Sequence, residues 1–328
     1  MFLEERVYLW DNVKAFLILL VVIGHFVLYY IGESNSFKSL YVFIWLFHMP
    51  FFIFIAGYFH KNTFIINKIY FYLILGVLLK ILFFLIDKFV GKHPAFHLFS
   101  EASLPWFMFA IAAFILITYI LKDIDQRLVL LFAIVIGCYS GYDKSIRDTL
   151  ILSRILVFYP FYIAGLMMKK NEMFHYIVNW NKKKMRYVGL SIICMWFIFC
   201  FLGLEYLWGV KGLLSGRNPF SSSFYYYGEL MRLGHYFLVV TVSFSLLMIF
   251  PNKHIKLLSV VGQRTLQIYF WHYIFLKIFL FFDITHICST KIGKIIYIIL
   301  AIILTFFLAS PAFSFPCHNI KKMCFKLK

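Results

Sequence analysis

A lysine and a histidine in the first apolar segment have the residue types that acyl or proton transfer requires. Lys14 lies near the start of this segment, and His25 follows eleven positions later after an apolar run. At 3.6 residues per turn this spacing is about three turns, so both side chains lie on one helix face, about 16 Å apart. An ammonium group can hold a phosphate, and a neutral imidazole can act as a base or a nucleophile.

Other polar side chains also fall inside apolar segments. The rise of a helix places His48, in the second segment, at about the depth of His25. Glu229 and Arg232 are three positions apart and share a helix side, and Arg154 begins another apolar segment. A charged group at the centre of a membrane helix costs about 2.5–3.5 kcal/mol, so these residues predict a polar interior.

Each of these residues also has a structural interpretation. A histidine in a helix often only donates a hydrogen bond to a neighbouring carbonyl, which is an open alternative for His48 and His272. Glu229 and Arg232 have the i, i+3 spacing of a boundary ion pair. Lys14 has the position of an interfacial anchor.

The composition indicates the elements that must position these side chains. Of 328 residues, 63% are hydrophobic and 14% are charged, which is too little polar surface for a globule in water. Apolar windows of the length that spans a bilayer predict an all-α, polytopic membrane helix bundle of about ten transmembrane helices in one domain, 1–328. The windows are approximately 13–31, 39–59, 66–86, 103–121, 127–142, 150–168, 187–207, 228–250, 264–283 and 292–311.

The distribution of basic residues predicts orientation and excludes some functions. With both termini cytoplasmic, the inner segments hold about twice as many Lys and Arg residues as the outer loops. The net charge of +18 therefore belongs to short loops beside the membrane, and we expect no nucleic-acid partner. The six cysteines form no CxxC pair, so neither a disulfide framework nor a metal site is expected.

Four segments together resemble the acyltransferase-3 family of integral membrane O-acyltransferases. The resemblance extends in order over nearly the whole chain, and it is closest to the fucose 4-O-acetylase-like branch. The segments are WDNVK at 10–14 with VVIGH at 21–25, FHMPFF at 47–52 with AGY at 56–58, SR at 153–154 with FYPF at 158–161, and GQRTLQIY at 262–269 followed by His272. In the first segment, Lys14 and His25 fit the family pattern, in which ten residues separate a basic residue from a histidine.

The resemblance implies an O-acetyltransferase of the bacterial inner or plasma membrane that modifies polysaccharide of the cell envelope. Acetyl-CoA, or another short acyl-CoA, is the expected co-substrate, with no tightly bound cofactor and no metal. The acceptor is expected to be a glycan or a lipid-linked saccharide, with membrane lipid around the protein. His25 is expected to act as general base or to carry the acyl group briefly, and the base role is favoured. The expected catalytic residues are His25 and Glu229, and the expected donor- or substrate-binding residues are Lys14, Asp11, Asn12, His48, Arg154 and Arg232.

A transporter or flippase for a lipid-linked saccharide is the alternative function, because it needs the same polar cavity but makes no bond. Such proteins often contain inverted repeats and paired broken helices in two halves. The sequence shows neither feature. An acyltransferase is therefore the favoured prediction.

Overall fold

The described residues of this computed structural model form helices at all ten predicted windows. The description covers residues 7–97, 100, 103–170 and 182–326, so Arg6 and most of the basic loop at 169–186 lie outside it. Within these ranges the only β-type pairing is a single bridge between Ser100 and Thr149. The all-α membrane architecture is confirmed. The helices are, in chain order, α1 Tyr8–Val27, α2 Asn35–Tyr58, α3 Ile65–Phe89, α4 Trp106–Ile120, α5 Gln126–Tyr139, α6 Leu152–Lys170, α7 Lys182–Leu202, α8 Leu204–Gly209, α9 Lys211–Leu214, α10 Gly228–Ile249, α11 Lys256–Gln263, α12 Thr265–Phe281, α13 Ile284–Ile287, α14 Lys291–Leu308 and α15 Cys317–Phe325.

Seven helical segments in the described ranges are long and apolar enough to cross a membrane. They correspond to α1, α2, α3, α6, α7, α10 and α14, while α4, α5 and α12 are shorter apolar helices. Continuous apolar sequence favours helices in lipid because a helix satisfies its own backbone hydrogen bonds. The number of crossings and the side of each terminus stay predictions.

The chain divides into two compact units, which we describe separately. The single domain at 1–328 stays a prediction. The first unit comprises Met1–His48, Met173–Leu207 and Val240–Ser314, and the second comprises Met49–Glu172, Trp208–Val239 and Phe315–Lys328.

Helix α1 is the centre of the first unit, where it packs against α11, α12 and α14. Most of its side chains are buried. The backbones of α1 and α11 approach closely at Gly262, where a Cβ atom would lie 1.9 Å from the Asp11 carbonyl oxygen. By contrast, only 11% of the apolar window of α7 is buried, so its side chains are available to lipid.

In the second unit, α3 packs against α4 and α15, and α6 packs against α4 and α5. The C-terminal half of α2 meets α6 through two glycines. A Cβ at Gly57 would lie 1.9 Å from the Tyr162 carbonyl oxygen, and a Cβ at Gly165 would lie 2.0 Å from the Phe54 carbonyl oxygen. Small residues permit this backbone approach, which is a common way for membrane helices to associate.

We predict that Gly165→Ala destabilises the protein, because the added methyl group meets backbone that cannot move aside. The expected cost is about 1–3 kcal/mol, measured as reduced thermal stability in detergent or lipid nanodiscs. Gly234→Ala is the matched control, because no heavy atom lies within 4 Å of the added group. Equal stability of the two variants would contradict the packing described for α2 and α6.

Candidate active site

The first turns of α1 contain an ion pair formed by two of the predicted donor-binding residues. Lys14 Nζ lies 3.1 Å from Asp11 Oδ1. The Asp11 side chain is 7% exposed and the Lys14 side chain is 22% exposed. The largely buried carboxylate of Asp11 therefore orients the ammonium group of Lys14, whose side chain stays partly exposed.

Asn12, the third predicted donor-binding residue of α1, joins this helix to the segment between α10 and α11. Its side chain is fully buried, and Nδ2 donates to the carbonyl oxygens of Pro251 at 2.9 Å and Lys253 at 3.0 Å. The backbone nitrogen of Leu9 donates to Asn252 Oδ1 at 3.1 Å. Asn12 thus stabilises the position of α1, and its predicted contact with the donor stays a prediction.

The imidazole of His25 lies among aromatic rings near the other end of α1. Its ring centroid is 5.4 Å from that of Trp45, 5.2 Å from that of Tyr273 and 5.3 Å from that of His272. The residue is partly exposed, but its Nδ1 atom is buried and makes no hydrogen bond to any described residue. The Nδ1 side of the imidazole is therefore enclosed, while the residue as a whole keeps some exposure.

Trp45 connects His25 with His48 on α2. Its ring centroid lies 5.1 Å from that of His48 and 4.0 Å from that of Tyr41, which stacks on it. Gly24 makes room for this indole, since a Cβ there would lie 2.5 Å from Trp45 Cζ3. His48 Nδ1 lies 2.6 Å from the carbonyl oxygen of Ile44, one turn earlier in the same helix. A hydrogen bond from a helical histidine to a carbonyl one turn earlier is what a purely structural role of His48 requires. Substrate binding by His48 stays a prediction.

The sequence alone predicts no functional role for His272 on α12. His272 is fully buried, and its Nδ1 lies 3.1 Å from the Ile268 carbonyl oxygen and 2.8 Å from that of Tyr269. Its Nε2 atom has no hydrogen-bond partner in the ranges that the structure describes. The sequence shows His272 as a polar residue in an apolar window, but His48 has the same feature, so the sequence does not distinguish the two.

In the second unit, the guanidinium of Arg232 binds α9 and the loop that follows it. The side chain is fully buried, Nη1 donates to the Leu213 carbonyl oxygen at 2.7 Å, and Nη2 donates to Asn218 Oδ1 at 3.0 Å. Asn218 Nδ2 donates to Ser140 Oγ at 2.9 Å, and the backbone nitrogen of Asn218 donates to Ser153 Oγ at 2.8 Å. Arg232 thus holds a loop in place, and its predicted role in substrate binding stays a prediction.

Glu229 and Arg154 also belong to the second unit. The hydroxyl group of Tyr142 donates to the carboxylate of the partly exposed Glu229. Both Glu229 and Arg232 are described, and no ion pair joins them. Arg154 is 5% exposed, and its guanidinium lies 4.8 Å from the ring centroid of Trp106. Their roles in catalysis and acceptor binding stay predictions.

The site residues therefore fall into two groups. Within the first unit, the structure places an ion pair and a histidine-rich aromatic cluster on α1 and its neighbours, and the second unit contains the arginines and Glu229. Among described residues, no group of three or more His, Cys, Asp or Glu side chains is arranged to hold a metal ion.

Comparison with known proteins identifies the family. A family model described as an acyltransferase domain, acyltransferase 3, matches residues 7–313 of this chain. No curated protein and no solved structure matches it. The match spans α1 to α14, including both groups of site residues. The chain therefore belongs to the acyltransferase-3 family and is a multi-pass membrane acyltransferase.

Proposed function

We propose that this acyltransferase moves an acetyl or another short acyl group from cytoplasmic acyl-CoA to a hydroxyl of a cell-surface or exported glycan. His25 acts as the general base. The protein works in a bacterial inner or plasma membrane, and acyl-CoA is a co-substrate rather than a bound cofactor.

The surroundings of His25 are the main support for this proposal. His25 is partly exposed, which leaves an approach for a hydroxyl, while its Nδ1 atom is buried and the rings of Trp45 and Tyr273 lie beside the imidazole. A base in such surroundings accepts a proton from the bound hydroxyl with little competition from solvent. This arrangement favours transfer to an acceptor over hydrolysis of the donor.

The ion pair at the start of α1 supports the location of the donor. Acyl-CoA carries phosphates at one end and its thioester at the other, joined by a long flexible arm. Lys14, oriented by Asp11, is a suitable partner for a phosphate because a compact ammonium group binds one as a point charge. The thioester then reaches His25 along the same helix face.

The proposed reaction moves one proton and exchanges one bond at the acyl carbon. The acceptor hydroxyl gives its proton to His25 Nε2 as its oxygen attacks the thioester carbonyl carbon. A carbon–oxygen bond forms and the carbon–sulfur bond breaks. The departing thiolate takes the proton from His25, which leaves the ester, the free thiol of CoA and a neutral imidazole.

We predict that His25→Ala reduces transfer from acyl-CoA by about 10²–10⁴-fold, because the general base is lost. The measurement is the rate of transfer of labelled acetyl from acetyl-CoA by purified protein in nanodiscs, together with mass spectrometry of surface glycans in a complemented deletion strain. His318→Ala is the control, since His318 is exposed on α15. Near-wild-type transfer by a folded His25→Ala variant would reject the proposed base.

We predict that Lys14→Ala raises the KM for acetyl-CoA roughly tenfold or more with little change in kcat, because one charge-assisted bond to phosphate is lost. The double variant Asp11→Asn with Lys14→Met is the control, because it removes the charge of the largely buried Asp11 carboxylate together with that of the ammonium group. Acetyl-pantetheine, which lacks the nucleotide phosphates, should show no such difference between wild type and variant. An equal effect with both donors would exclude phosphate binding by Lys14.

A further inference from the structure

The hydrogen-bonding pattern of His272 fixes which of its ring nitrogens carries a hydrogen. Its Nδ1 atom lies within hydrogen-bond distance of the carbonyl oxygens of Ile268 and Tyr269. Carbonyl oxygens only accept, so Nδ1 must be the protonated nitrogen. In the neutral ring, Nε2 is then a lone-pair acceptor. This acceptor is buried and has no hydrogen-bond partner among the residues that the structure describes.

His25 offers the complementary group. Its Nδ1 atom is also buried and makes no hydrogen bond within the described part of the chain. The two ring centroids are 5.3 Å apart and the rings are tilted by 38°. A hydrogen bond of about 2.9 Å between the edges of two imidazoles corresponds to centroids about 5 Å apart once the ring radii are added. Because χ2 is soft for histidine, a rotation of the His25 ring is the movement that such a bond requires.

We propose that His272 is a positioning residue for His25: its Nε2 accepts a hydrogen bond from Nδ1–H of His25. This inference rests on the proposed function of His25. The bond selects the His25 tautomer in which Nε2 has the lone pair, so that nitrogen faces the acceptor hydroxyl as a base. It also fixes the plane of the imidazole against Trp45 and Tyr273.

The bond becomes stronger during the reaction. When His25 Nε2 takes the proton of the acceptor hydroxyl, the ring becomes a cation and its Nδ1–H becomes a better donor to His272. The proton leaves from Nε2 to the departing thiolate, and His272 keeps its own Nδ1 hydrogen throughout. This is the role that a carboxylate has in many catalytic triads. A neutral imidazole performs it here without a buried negative charge, which a membrane interior strongly disfavours.

Two substitutions separate the acceptor role of His272 from its packing. His272→Asn keeps an amide nitrogen near the position of Nδ1, where it can still donate to the helix carbonyls, but removes the acceptor at Nε2. His272→Gln is long enough to place an amide oxygen near Nε2 and thus keeps an acceptor. We expect His272→Asn to reduce kcat about 10- to 100-fold with KM for acetyl-CoA unchanged, and His272→Gln to stay within several-fold of wild type.

A double-mutant cycle then tests whether His272 acts through His25. Adding His272→Asn to His25→Ala should leave the residual transfer rate unchanged, because the residue that His272 positions is already absent. Any of three outcomes would overturn the inference. They are an equal loss of kcat in the His272→Asn and His272→Gln variants, full activity of His272→Asn, and a further loss of transfer rate in the double variant. If His25→Ala alone is inactive while His272→Asn is fully active, the positioning role fails and the proposed base stands. Full activity of His25→Ala rejects both.

Discussion

A polar group in the hydrocarbon interior of a membrane finds no water to bind, so the protein itself must satisfy it. Several buried polar side chains here do so with backbone carbonyls. Asn12 donates to Pro251 and Lys253, and the amide of Gln267 donates to the carbonyl oxygens of Leu308 and Ser310 at 2.7 and 2.8 Å. These bonds hold α1 and α12 in place. His25 and His272 each have a buried ring nitrogen without a hydrogen bond in the described ranges, and their ring centroids lie 5.3 Å apart.

Helix α1 sets the separation between the two ends of the proposed reaction. The Lys14 ammonium and the His25 imidazole are eleven residues apart, about 16 Å on a rigid helix. The close approach of Gly262 to the Asp11 backbone and the hydrogen bonds of Asn12 hold this helix near its cationic end. The rings around His25 hold it near the other end. A donor that is long and flexible can span such a distance, and only its ends need specific contacts.

The sequence predicts the helices well because apolar length is a strong signal in lipid. All ten windows contain a helix, although the window at 127–142 divides into α5 and a short 3₁₀ turn at Ser140–Tyr142. Pro50 and Pro160 lie inside helices without ending them, as is tolerated in membranes. The family was also correctly identified from its motifs. These features depend on local sequence, which is why they could be predicted.

The pairing of polar side chains depends on how helices rotate and pack, which one sequence does not specify. His48 and His272 have the same local signature, and only the structure shows that the ring of His272 contacts His25. Spacing suggested an ion pair between Glu229 and Arg232, but Glu229 accepts a hydrogen bond from Tyr142 instead. The guanidinium of Arg232 binds the Leu213 carbonyl oxygen in the short helix α9 and Asn218 in the loop after it, which helical periodicity does not predict.

The proposed mechanism can be tested by a structure of the protein with an acetyl-CoA analogue in which a ketone replaces the thioester, so that the analogue binds but transfers no acyl group. We expect the phosphates to lie beside Lys14. The ketone carbon should lie close enough to His25 Nε2 for a hydroxyl to fit between them, about 3–3.5 Å from each reacting atom. An analogue bound away from α1, or a ketone that lies beyond reach of the His25 imidazole, would contradict the proposed mechanism.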